Sequence, residues 1–157
     1  MVLTEILDPK CVIVPMQATQ KRQAIEELVD RLAEQGRTSD RDKLLAAVME
    51  REATRTTGIG NGLAIPHGKC SSVSDLVMAI GKPKTPIDFE AIDGKPVSLI
   101  VLLASPFDQT GPHIQALARI SRLMTIESFR QRLIEANSAD ALFDMIRRQE
   151  AQMADAR

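Results

Sequence analysis

The run at residues 97–104, VSLIVLLA, constrains the fold more than any other part of the chain. After Ser98 it does not alternate between apolar and polar residues, so as a strand it is apolar on both faces and belongs at the centre of a covered sheet. It is far shorter than the ~18 consecutive apolar residues of a membrane span, and no other window reaches that length. Shorter strand signals lie at 11–14 (CVIV), 63–65 (LAI, stopped by Pro66) and 76–81 (LVMAIG). At 87–91, Ile87, Phe89 and Ala91 alternate with Asp88 and Glu90 as in an antiparallel or edge strand, and Asp93-Gly94 is a hairpin turn signal.

Helical periodicity fills the intervals. Thr19 is placed to cap a helix whose stripe is Ile25, Leu28, Val29 and Leu32, with Gly36 beyond its end. Ser39 or Asp40 opens a second helix, with Leu44, Leu45, Val48 and Met49 as its stripe and Arg51 and Glu52 near its end. A third begins around Thr110 or Gly111, with Pro112 in its first turn and Ile114, Leu117, Ala118, Ser121 and Met124 as its buried stripe. Two more span 127–136 and 139 to about 148. The alternation of periods predicts one α/β domain over residues 5–148, with 149–157 a frayed tail.

Composition excludes several classes of function. Net charge is −1, Trp and Tyr are absent and Phe occurs four times. The chain therefore lacks both the basic face and the stacking aromatics of a nucleic-acid binder. Cys11 and Cys70 are too few for a disulfide framework, and His67 with Cys70 lacks two further ligands at zinc spacing. The N-terminus carries Glu5 and Asp8 with no basic leader, so the sequence predicts a cytoplasmic protein.

The chemistry concentrates in residues 56–69, TTGIGNGLAIPHGK. A neutral imidazole has a free lone pair, and Pro66 ends a strand just before His67, which presents the ring at a sheet end. Glycines upstream offer backbone N–H groups to an anion, although the spacing matches neither a Walker loop nor a dinucleotide fingerprint. Taken alone, His67 could equally be structural. Its weight comes from His113 in the first turn of a helix, at the edge of that helix's stripe, and from Arg51 at the end of another. Together they would form a phosphoryl site of two imidazoles, a guanidinium and free N–H donors. Lys69 reads as solvated, and Lys82 and Lys84 as a solubilising turn around Pro83.

The segments RE-x(4)-TGIGNGLAIPHGK and PHIQALARIS resemble the enzyme IIA domains of the bacterial phosphoenolpyruvate-dependent phosphotransferase system, in the fructose/mannitol class and its nitrogen-regulatory branch. The resemblance implies a single mixed sheet of about five strands flanked by helices on both faces. It maps the phosphorylated histidine onto His67, with Nε2 as nucleophile, and the supporting arginine and histidine onto Arg51 and His113. The other ring nitrogen would then donate to a backbone carbonyl that the sequence does not identify. Thr56, Thr57 and Gly58 are candidate phosphate supports. The implied donor is an HPr-like phosphocarrier, and the implied recipient a transporter IIB domain or a regulatory target; the alternative from another class is a module that binds partners without being phosphorylated. No cofactor is implied, because the donor is already an activated phosphoramidate. A free-standing domain without fused IIB or membrane segment leans toward the regulatory branch.

Overall fold

A computed structural model of the chain describes residues 2–155, with side chains through Met153. Six strands form one mixed sheet: β1 (Leu7–Met16), β2 (Gly58–Gly60), β3 (Leu63–Ala64), β4 (His67–Lys69), β5 (Val77–Pro83) and β6 (Leu99–Ser105). The helices are α1 (Lys21–Glu34), α2 (Arg41–Thr54), α3 (Thr110–Met124), α4 (Glu127–Glu135) and α5 (Ala139–Asp155). The order across the sheet is β1-β5-β6-β3-β2, and β4 also pairs with β6. Every residue of β6 is buried, as its unbroken apolar run requires of a strand covered on both faces. No helix among the described residues is long and apolar enough to cross a membrane.

β6 serves as a ruler for its neighbours. Both β3 and β4 run parallel to it, with Leu63 opposite Leu99, Ala64 opposite Ile100 and His67 opposite Leu103. They form one strand line in a single register, interrupted at Ile65 and Pro66. The histidine expected at a sheet end thus lies at a break within the sheet, where β4 resumes. β2 pairs only with β3, as the antiparallel arm of a hairpin turned by Gly60, Asn61 and Gly62, all at positive φ. The glycine-rich stretch is therefore a hairpin rather than an open loop.

Other expectations change in instructive ways. Residues 87–91 alternate in burial as predicted, with Ile87, Phe89 and Ala91 inward. They form only an isolated bridge from Ile87 to Val97, because Glu90 adopts a left-handed φ of 54° and the Phe89 carbonyl accepts from Thr56 Oγ1 at 2.6 Å. Asp40 caps α2 as read, accepting from the Lys43 N–H at 3.1 Å. α1 instead starts after Gln20, and Thr19 contacts the Gln23 side chain. Lys82 is not simply solvated: its ammonium donates to the Ala136 carbonyl just past α4 at 2.7 Å.

The predicted stripe of α3 has the right period but the wrong phase. His113, Ala116, Ile120, Leu123 and Met124 face inward, while Ile114 is 60% exposed. Apolar residues occupy two adjacent faces of this helix, so hydrophobicity alone leaves its rotation open by one position. A polar contact settles it: buried His113 lies 2.7 Å from Ser105 Oγ at the end of β6.

The C-terminal helix continues past Arg148 to Asp155, and residues 156 and 157 lie outside the described residues. Glu150, inside the segment expected to fray, is 3% exposed. It accepts from the Leu3 N–H at 2.6 Å, the Thr4 N–H at 3.2 Å and Arg119 Nε at 2.8 Å. This carboxylate ties α5 to the N-terminal turn and to α3. Removing one partner of a buried ion pair costs about 3–5 kcal/mol. Glu150→Ala, and truncation after Arg148, should each lower the unfolding free energy by about that amount in urea titrations. A loss within ~0.5 kcal/mol, typical of surface substitutions, would restore the frayed-tail reading.

Candidate functional site

The interruption at Ile65 and Pro66 leaves the Ile65–Pro66 peptide, which has no N–H, off the ladder with β6. The Ile65 N–H donates to the Thr57 carbonyl at 3.0 Å, and its carbonyl accepts from His67 Nδ1 at 2.8 Å. A carbonyl can only accept, so Nδ1 carries the proton and Nε2 of the neutral ring holds the lone pair. This is the carbonyl that the sequence could not identify. The Pro66 carbonyl accepts from the Leu103 N–H at 3.0 Å, which holds β4 on β6.

His113 reaches the same place from the other side of β6. The strand ends at Ser105, a short loop follows, and α3 brings the second imidazole back. The ring centroids of His67 and His113 are 5.6 Å apart, inclined at 63°. Arg51 arrives on the last turn of α2, which lies close against β4. A Cβ on Gly68 would meet the Val48 nitrogen at 3.2 Å and the Ala47 carbonyl carbon at 3.3 Å, so that position must be bare for α2 to pack where it does. Arg51 Nη1 donates to the Arg55 carbonyl at 3.0 Å and, more weakly, to Thr54 Oγ1 at 3.4 Å.

A cleft of about 280 Å³ is lined by His67, Arg51, Arg55, Thr56, Ile59 and Ile92, among others. Arg51 also borders a second cleft of about 480 Å³ that carries Lys43, Lys69 and exposed Phe107. Lys69 Nζ donates to Thr110 Oγ1 at 3.1 Å. His67 and Arg51, far apart in the chain, thus line one opening, and buried His113 stands behind them with its ring 5.6 Å from that of His67.

The remaining candidates are arranged differently. The Thr57 N–H donates to Glu52 Oε1 at 2.9 Å and its hydroxyl to Oε2 at 2.5 Å. The Thr56 hydroxyl donates to the Phe89 carbonyl, and the Gly58 N–H donates to Thr56 Oγ1 at 3.1 Å. These donors of Thr56, Thr57 and Gly58 are committed inside the protein rather than offered to an anion. The physical reason is that the stretch is a packed hairpin edge whose buried polar groups need partners. Ser105 and Glu52 escaped the sequence reading as contributors to the site. A serine ending an otherwise apolar strand was a signal for the first. The second is a buried carboxylate beside Arg51, and its burial could not be read from the chain.

Both rings are held neutral. Burial lowers the His67 pKa below the usual 6.5, and Arg51 lowers it further against the opposing pull of the Ile65 carbonyl and Glu52. Burial pushes His113 down to about 4, helped by His67 and Lys69. A folded-state pKa below the unfolded value means that the unfolded chain binds more protons between about pH 4 and 6.5. Stability contributed by the two rings is therefore complete above about pH 6.5 and is lost as the pH falls through that window. Since the chain has only two histidines, urea midpoints should drop between about pH 7 and pH 5, with the C2–H resonances titrating below 6.5. Equal midpoints with normal titration would mean that the rings are hydrated.

The sequence and fold as a whole match known proteins. Residues 5–149 match the family described as phosphoenolpyruvate-dependent sugar phosphotransferase system, EIIA 2. The chain is 36% identical to a fructose-specific EIIABC component from Bacillus subtilis, over 93% of its own length but only 23% of that protein's. It is 32% identical to a nitrogen regulatory protein from Bradyrhizobium diazoefficiens, over 93% of this chain and 95% of the relative. Among solved structures it superposes on nitrogen regulatory protein IIA-Ntr from Neisseria meningitidis with a TM-score of 0.84 and 31% identity, covering 90% of this chain and 97% of that one.

Proposed function

Because the chain belongs to the EIIA 2 family of the phosphoenolpyruvate-dependent sugar phosphotransferase system, we propose that it is a cytoplasmic phosphoryl carrier. His67 takes a phosphoryl group from an HPr-like phosphocarrier, and the protein acts mainly as a regulator of the nitrogen type. The observation that carries this reading is the state of the His67 ring: uncharged, with Nδ1–H on the Ile65 carbonyl and the Nε2 lone pair left over.

Nε2 attacks phosphorus in line as the P–N bond to the carrier's histidine breaks. The carrier's ring nitrogen recovers the electron pair, His67 keeps its Nδ1 proton, and no proton has to move. Charge on the equatorial oxygens needs donors. Arg51 supplies a guanidinium suited to phosphate. When the Ser105 hydroxyl donates to His113 Nδ1, the Nε2–H of His113 is left to donate to the phosphoryl group. Thr56, Thr57 and Gly58 serve by holding the cleft's edge. Phosphorylation adds about −1.5 to −2 of charge at the cleft, enough for phosphorylated and unphosphorylated forms to select different targets.

Similarity to nitrogen regulatory proteins over nearly their whole length supports the regulatory reading. The second reading, donation to a sugar-transporter IIB domain, rests on 36% identity to the fructose-specific component. Transfer from phosphorylated protein to a IIB domain would favour it; target binding that changes with the His67 state favours regulation.

Incubation with phosphoenolpyruvate, enzyme I and an HPr-type carrier should label His67, as located by mass spectrometry. The label should be lost in acid and survive base, and His67→Ala should abolish it without unfolding the domain. Arg51→Ala and His113→Ala should each slow labelling by ~10-fold to 150-fold, the kinetic equivalent of losing one charge-assisted hydrogen bond of about 1.5–3 kcal/mol. Labelling of His67→Ala at the normal rate would eliminate the site, and wild-type rates in both other variants would eliminate the supporting pair.

A further inference from the structure

Glu52 stands next to Arg51 on the last turn of α2, yet it points inward and is 4% exposed. A buried carboxylate needs several partners, and this one has them. Oε1 accepts from the Thr57 N–H at 2.9 Å and lies 2.8 Å from the Lys21 ammonium, while Oε2 accepts from the Thr57 hydroxyl at 2.5 Å. Lys21 is itself seated 5.5 Å from the centre of the Phe89 ring. Thr57 passes the restraint on, because its carbonyl accepts from the Ile65 N–H at 3.0 Å, and the Ile65 carbonyl accepts from His67 Nδ1 at 2.8 Å.

We infer that Glu52 is a positioning residue that fixes the orientation and tautomer of the His67 ring through Thr57 and Ile65. The chain of contacts is continuous: carboxylate to threonine, threonine to the isoleucine peptide, isoleucine carbonyl to imidazole. Adjacent residues of α2 thus divide the work, with Arg51 lining the cleft and Glu52 gripping Thr57, which holds the backbone next to the carbonyl that orients the ring. The Ile65 N–H bond to Thr57 closes the β2–β3 hairpin, and the Ile65–Pro66 peptide beyond it has no N–H for a ladder, so the direction of its carbonyl depends on how Thr57 holds the Ile65 backbone. The link to phosphoryl transfer rests on the carrier function proposed for His67, whereas the link to the tautomer does not.

The test uses the intact chain with 15N-labelled histidine, so that ring shifts report which nitrogen carries the proton. In wild type, Nδ1–H should dominate in the neutral ring. Glu52→Gln keeps the shape but replaces one acceptor oxygen with a donor. It should reduce the Nδ1–H fraction of His67, leave that of His113 unchanged, and slow labelling by ~10–100-fold, the usual loss when the partner orienting a functional histidine is removed. Thr57→Val removes the hydroxyl link and should shift the tautomer the same way, while Thr57→Ser should restore both readouts. The threonine pair decides the matter if Glu52→Gln does not fold. A folded Glu52→Gln protein with the wild-type tautomer would overturn the inference, as would Thr57→Val and Thr57→Ser behaving alike. Absence of labelling in wild type would refute the carrier function and leave the tautomer measurement valid.

Discussion

The hydrogen bond from His67 Nδ1 to the Ile65 carbonyl is the interaction on which the rest of the site depends. It is available only because β3 and β4 form one strand line with a gap in it. A continuous strand would spend the Ile65 carbonyl on the ladder. A longer loop would leave it free to turn toward water. Pro66, which has no N–H to contribute to a ladder, lies in the gap. β4 then regains its register on β6 immediately at His67. The sheet therefore supplies rigidity on both sides of the single peptide that it leaves unpaired.

Around that peptide the protein assembles groups from distant parts of the chain. β6 is central to this: β4 lies along it, and α3 follows from its end, so one strand sets the positions of both imidazoles. α2 supplies the arginine and approaches closely because Gly68 has no side chain. Electrostatics follow from this packing. Burial disfavours protonation of both rings; His67, 5.6 Å away, adds to the effect on His113, and Arg51 adds to the effect on His67. Neutral imidazole is the form that has a lone pair to offer, so the geometry that gathers these groups also keeps the lone pair of the proposed nucleophile available near neutral pH.

Much of this could be read before any coordinates. The unbroken apolar run at 97–104 marked the central strand, and the periodicity of residues 25–32 marked the inward face of α1. The spacing of Arg51, the IPHG segment and the PHIQ segment singled out the residues that converge. What misled was local chemistry read as free when it was engaged. Thr56, Thr57 and Gly58 have the right groups for an anion, but both hydroxyls and the N–H groups of Thr57 and Gly58 are spent on Phe89, Glu52 and Thr56. Sequence lists donors; only packing determines which are left over.

The sequence alone determined the kinds of group present, the periods of the elements and the order in which they occur, because those follow from side-chain chemistry and chain geometry over a few residues. The tertiary structure decided the rotation of α3, the inward turn of Glu52, the anchoring of Glu150 and the direction of the Ile65 carbonyl. Each depends on a partner that only folding brings into contact: Ser105 for His113 and Thr57 for Glu52 from nearby in the chain, Lys21 for Glu52 and Leu3 and Arg119 for Glu150 from far away. A buried polar group must be matched by another, and which one it meets is settled only when the chain has folded back on itself.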